Sequence, residues 1–116
     1  MELTVEFTFS AAHHLSEEKG RCSRMHGHDY RLLVTVEGPV QDHDGMVMDF
    51  HDLDDVVEEV VTKPLDGIVL NEVFDVPTAE RMAEWILDKL AERIPTVHRV
   101  TLYETPRYSV TLERPR

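Results

Sequence analysis

Within Arg21-Cys22-Ser23-Arg24-Met25-His26-Gly27-His28, one thiol, two histidines and two arginines fall inside eight residues. In extended chain, residues i and i+2 point to the same face, so His26 and His28 can offer both imidazoles to one metal ion. Gly27 leaves no side chain between them. A third nitrogen is available at Ala12-His13-His14, and three histidines with an open fourth position describe a catalytic zinc rather than a closed structural one. Such an ion binds a substrate oxygen and lowers the pKa of that hydroxyl or of the adjacent C–H, which leaves a base to be found. Cys22 is the candidate, because Lys19, Arg21, Arg24 and the metal favour thiolate. The same local cations, with Arg24 nearest the histidines, suit an anionic substrate. Cys22 could also ligate the metal in an empty site. A cupin-type metal motif would need Glu near Leu32 and Leu33 and is set aside.

These groups must be positioned by strands. Leu3, Val5, Phe7 and Phe9 alternate with Glu2, Thr4, Glu6 and Thr8, so residues 2–9 read as a strand with one buried face. The same parity puts His13, not His14, on the face of Phe7 and Phe9. Residues 15–25 read as loop. From Asp29, Tyr30, Leu32, Val34 and Val36 restore the alternation up to Gly38-Pro39, which puts His26 and His28 at the mouth of a second strand.

Leu53, Val56, Val57, Val60 and Val61 form one helical face that Asp49 or Asp52 can cap, with Pro64 expected to stop the helix soon after Val61. Thr78 caps a second helix whose stripe is Met82, Ala83, Ile86, Leu87, Leu90, Ala91 and Ile94, closed by Pro95. Residues 97–104 and 107–113 alternate again around Thr105-Pro106 as a hairpin. The order ββααββ predicts a single α+β domain over 1–116, an antiparallel four-stranded sheet with two helices on one face.

Two carboxylates follow from position. Glu104 ends the third strand on the face of Val100 and Leu102, where it can accept two hydrogen bonds from a planar donor pair. Asp66 lies just beyond the first helix.

Composition narrows the partners. The formal net charge is −11, from 23 acidic and 12 basic residues, which argues against a phosphate-backbone binder, so no nucleic-acid partner is expected. An acidic, lysine-poor surface also suits high salt, where self-repulsion is screened. One Cys allows no internal disulfide, charges occupy the first residues, and no apolar run spans a bilayer, so a cytoplasmic protein away from membranes is expected. At 116 residues there is little surface for a deep private cleft, and sites shared between subunits are expected.

Taken together, these residues resemble the family of 6-pyruvoyl tetrahydropterin synthase and 6-carboxytetrahydropterin synthase. The likeness rests on Phe9-Ser10-Ala11-Ala12-His13, Cys22 with His26-Gly27-His28, Gly45-Met46-Val47-Met48-Asp49-Phe50, Lys63-Pro64-Leu65-Asp66 with Leu70-Asn71, Pro77-Thr78-Ala79-Glu80 and Tyr103-Glu104-Thr105. The resemblance implies a tunnelling fold in which three chains join their sheets in a barrel and two rings stack into a hexamer, with sites at subunit contacts. It implies zinc on His13, His26 and His28, Glu104 with neighbouring Thr105 anchoring a pterin ring, and 7,8-dihydroneopterin triphosphate as substrate. Cys22 and Asp66 would move protons, ending in loss of the triphosphate. The carboxy product, on the route to 7-deazaguanine bases, is the favoured expectation. One departure stands out. The family pairs Asp with His in a proton relay, whereas here Asp66 is followed by Gly67. His14, His43, His51 or His98 would have to substitute, and weakened or altered turnover is expected. The pyruvoyl product of the same family, side-chain cleavage of dihydroneopterin, and pterin binding without catalysis are the alternatives.

Overall fold

The computed structural model describes residues 1–15 and 24–115. Two long strands carry the molecule: β1 (Glu2–His13) and β2 (His26–Glu37) pair antiparallel over their full length, from Glu2 opposite Glu37 to His13 opposite His26. β3 (Val97–Tyr103) and β4 (Ser109–Glu113) complete a four-stranded sheet in the order β1-β2-β3-β4. The expected architecture is therefore found, a single antiparallel sheet with two helical segments packed on it.

Both of the first two strands extend beyond their sequence pattern. Alternation fades at Ala11-Ala12 and at Gly27, yet the ladder runs on to His13 and starts at His26. The backbone needs partners whatever the side chains, and here each strand is the other's partner. Parity holds throughout: Phe7, Phe9, Ala11 and His13 are buried on one face of β1, and Tyr30, Leu32, Val34 and Val36 on the same face of β2.

The first helix starts at Phe50, where the Asp49 carboxylate accepts from the His51 N–H at 2.7 Å. It does not stop before Pro64. The α-helix Phe50–Val57 widens into a π-turn at Glu58–Thr62 and finishes with Lys63–Leu65. In a regular helix the proline ring would meet the carbonyl four residues back. In the wider turn Lys63 instead donates to Glu58, five residues back, so the chain passes Pro64 and buries Leu65. The second helix, Ala79–Arg93, has the Thr78 hydroxyl accepting from the Arg81 N–H and places Met82, Ile86 and Leu90 in the core. Fully burying each such side chain stabilises by about 1.5–3 kcal/mol. Leu32→Ala, at the centre of this layer, should cost roughly 2–5 kcal/mol.

Residues 66–69 lie along the outer edge of β1. Gly67 donates to the Ser10 carbonyl at 2.6 Å, Ala12 donates to that of Ile68 at 3.0 Å, and the Asp66 carboxylate takes the Ser10 N–H at 2.8 Å. Gly67 has φ +76°, a left-handed conformation glycine adopts without cost. Asn71 then clamps the end of the strand, accepting from the His14 N–H and donating to the His14 carbonyl, both at 3.0 Å. The last three residues of β1, which include His13, are thus held from both sides. Among the described residues no helix is long and apolar enough to cross a membrane.

Candidate metal centre

His13, His26 and His28 project from paired ends of β1 and β2, and a ligand nitrogen from each lies within 4.8 Å of the others. The ring centroids are 4.6–5.1 Å apart, each pair edge to face. Orientation comes from the backbone. Nδ1 of His13 donates to the Pro77 carbonyl at 2.8 Å and Nδ1 of His26 to the Arg24 carbonyl at 2.7 Å. A carbonyl only accepts, so both protons sit on Nδ1 and both Nε2 atoms turn lone pairs toward the centre.

Those two Nε2 atoms are 3.1 Å apart. Two lone pairs at that separation repel unless a cation lies between them. The third imidazole says the same, for Nε2 of His28 is buried and has no hydrogen-bond partner among the described residues. An orphaned buried acceptor beside two converging ones fits a divalent metal ion, with carbonyl supports of the kind that orient metal-bound histidines. Burial lowers the His28 pKa, more than the Glu104 charge raises it, and the other two imidazoles lower it further. Neutral imidazole is the ligating form.

Glu104 stands at the rim, as its strand parity indicated. Its Oε1 is 3.6 Å from Nε2 of His13 and 4.0 Å from that of His28. Under the cluster lies Tyr30, wholly buried, stacked on Phe9, with its hydroxyl 3.4 Å from Nδ1 of His13. Burial and the Glu104 charge push this phenol well above its usual range, so it stays protonated.

Asp66, Thr105 and the Arg24 side chain do not join this cluster within one chain. The Asp66 carboxylate holds the Ser10 N–H on the outer edge of β1, and the Ser10 hydroxyl donates to Asp29 at 2.6 Å. The Thr105 hydroxyl accepts from the N–H groups of Arg107 and Tyr108 and shapes the β3–β4 turn. Arg24 contributes its carbonyl, while its side chain is exposed. Cys22 lies outside the described residues. Of the histidines considered as relay substitutes, His98 sits at the opposite end of the sheet and His51 lines a cavity with Met1, Glu2 and Leu3 at that same end. His43 is exposed beside Asp44, and only His14 neighbours the cluster. The Pro77 and Arg24 carbonyls and the Asn71 clamp were not foreseen. Backbone acceptors leave no mark in side-chain spacing, although Asn71 falls within a motif already noted.

A two-helix, four-stranded α+β domain with a three-histidine centre at the end of its longest hairpin defines the class. The profile of the 6-pyruvoyl tetrahydropterin synthase family matches residues 2–115, and the chain belongs to that family. A 6-carboxy-5,6,7,8-tetrahydropterin synthase of Synechocystis is 39% identical over 107 residues, covering 86% of this chain and 83% of the relative. A dihydroneopterin monophosphate aldolase of Pyrococcus furiosus is 38% identical over 109 residues, covering 91% of each. The structure of the Caenorhabditis elegans 6-pyruvoyl tetrahydropterin synthase superposes with a TM-score of 0.90 at 29% identity, over 99% of this chain and 96% of that one.

Proposed function

We propose that the protein is a zinc-dependent lyase acting on 7,8-dihydroneopterin triphosphate, with 6-carboxy-5,6,7,8-tetrahydropterin as product on a route to 7-deazaguanine bases. The observation that carries this reading is the convergence of three imidazole nitrogens beside the Glu104 carboxylate. Bound zinc would supply Lewis acidity, lowering the pKa of a substrate hydroxyl or of the C–H beside it.

The chain's own groups divide the remaining work. His13, His26 and His28 hold the ion, and the Pro77 and Arg24 carbonyls keep their Nδ1 protons turned outward. Glu104 accepts hydrogen bonds from the donor edge of the pterin ring, with Thr105 setting the turn beside it. Arg24 faces the anionic tail. Cys22 moves protons at the side chain being broken, and Asp66 assists from a neighbouring copy. The edge position of Asp66 supports a site completed between chains, as does the place of β1 and β4 as the edge strands of a sheet of order β1-β2-β3-β4. Three chains joining sheets in a barrel, and two rings stacking, give the hexamer this reading requires.

The similarity to an aldolase favours a second reading, cleavage of the dihydroneopterin side chain, while Gly67 in place of the relay imidazole favours pterin binding without catalysis. Incubating metal-replete protein with 7,8-dihydroneopterin triphosphate and with its dephosphorylated form, and identifying the pterins by mass, separates the two. The first reading expects a carboxypterin from the triphosphate alone. A cleavage product from the dephosphorylated compound would replace it with the second. Return of both compounds unchanged would leave pterin binding without catalysis. Gly67→His adds the imidazole absent from the relay. A Cβ there meets nothing within 4 Å, and the positive φ costs about 1–2 kcal/mol. Faster product formation is expected, and an unchanged rate would show that the gap does not matter.

A further inference from the structure

Most arginines of this acidic chain already have an acceptor. Arg31, Arg81, Arg93 and Arg99 each pair with a carboxylate, and Arg114 donates to the carbonyls of Pro95 and Val97. Among the described arginines, only the side chains of Arg24 and Arg107 have neither kind of acceptor. These two are also the arginines whose chain neighbours build the metal centre. Arg24 lends its carbonyl to His26, and Arg107 follows Glu104 by three residues. At a net charge of −11, carboxylates are plentiful. Two guanidinium groups left without one at the same site suit an anion that arrives from outside.

The turn that carries Arg107 is held from within. The Thr105 hydroxyl accepts from the N–H groups of Arg107 and Tyr108 at 3.2 and 3.1 Å. The Glu104 N–H donates to the Tyr108 carbonyl at 2.9 Å, which makes Tyr108 the cross-strand neighbour of Glu104, one step beyond the Tyr103–Ser109 pair. Directly opposed residues of an antiparallel pair share a face. Glu104 lies on the face of the imidazoles, 3.6 Å from Nε2 of His13, so Tyr108 stands on that face too, 57% exposed. The Arg107 guanidinium lies over the Tyr108 ring, 5.4 Å from its centroid. An aromatic face attracts a guanidinium without consuming its N–H donors. Glu104 does not consume them either, since its carboxylate turns to His13 and His28.

We propose that Arg107, carried on Tyr108, is the phosphate-binding residue that sets specificity at this site, gripping the substrate tail from the β3–β4 turn while Arg24 meets it from the other strand end. The planar fork of N–H donors matches phosphate oxygens in pairs, which a lysine ammonium does not. That the tail is a triphosphate rests on the lyase reading above; the anion site itself does not.

Isothermal titration of full-length protein with inorganic tripolyphosphate tests the site without turnover. It is run on zinc-loaded protein, with zinc content measured before and after, and on chelator-stripped protein, where no ion competes for phosphate. In both forms Arg107→Gln should weaken binding about 10-fold or more. Tyr108→Leu, which keeps the charge and removes its platform, should weaken it about 2–5-fold, and Arg107→Lys should fall between wild type and Arg107→Gln. With 7,8-dihydroneopterin triphosphate, Arg107→Gln should raise KM about 10-fold with a smaller change in kcat, and it should bind the dephosphorylated compound as the wild type does. Circular dichroism checks that the exposed turn tolerates each change. Tripolyphosphate binding that depends on Arg107, in a wild type that makes no product, would remove the lyase reading and keep the anion site. Equal tripolyphosphate affinity in wild type and Arg107→Gln overturns the proposal, as does an unaltered KM in a wild type and variant that both turn over.

Discussion

The two ends of the β1–β2 hairpin each gather histidine and carboxylate, and they do so in opposite ways. At one end three imidazoles meet with a single carboxylate at the rim, and two backbone carbonyls fix how they point. At the other, three carboxylates surround one imidazole, and Arg99 holds two of them in ion pairs. The first arrangement presents converging lone pairs with little net charge, the donor set of a divalent ion. The second joins strands through ion pairs and suits a clamp. Reactivity follows from how donors are supported and how much charge is already satisfied, more than from which residue types are present.

Three changes sharpen that contrast. The largest effect is expected from His26→Ala/His28→Ala, which should lower metal affinity at the histidine end by more than about 100-fold and remove turnover. The β1–β2 ladder should be undisturbed, as amide exchange can verify. Substantial turnover in this variant would put the chemistry elsewhere. Next comes Asn71→Ala, which strips both hydrogen bonds from His14 and should cost roughly 1–3 kcal/mol in Tm-derived stability. It should also weaken metal binding at His13 while leaving the far cluster intact. Equal loosening of both ends would mean that the clamp serves the fold at large. The smallest effect is on pH dependence. His28 is disfavoured as a cation in the folded, metal-free protein, so the unfolded chain binds more protons below its ordinary pKa of about 6.5. Metal-free stability should therefore be fully present above that value and fall as pH drops through it. His28→Gln should flatten this fall in urea titrations between pH 7.5 and 5.5, the range spanning that pKa by about one unit on each side. An unchanged slope would assign the fall to other groups.

Parity carried most of what the sequence revealed. It put His13 rather than His14 at the centre, and it turned Glu104 inward from the end of β3, because period two is unbroken along those stretches. It failed where the backbone departs from that period. Extrapolating from Val100 and Leu102 sends His98 into the core, and only a slip of the β2–β3 register between Thr35 and Val36 returns it to the acidic cluster. The π-turn that carries the first helix past Pro64 is equally silent, since the same apolar spacing describes a helix that stops there. The position of Asp66 depends on a residue 56 positions away, Ser10, whose free N–H on the edge of β1 needed an acceptor. The carbonyls of Arg24 and Pro77 do work that any residue at those positions could do, so residue type carries no sign of it.

Anomalous diffraction at the zinc edge, from crystals of the zinc-loaded full-length protein, tests the central claim most directly. A peak about 2.1 Å from Nε2 of each of His13, His26 and His28 is the expected result. A map with no peak there, or with an ion bound to fewer than two of those nitrogens, would contradict the account.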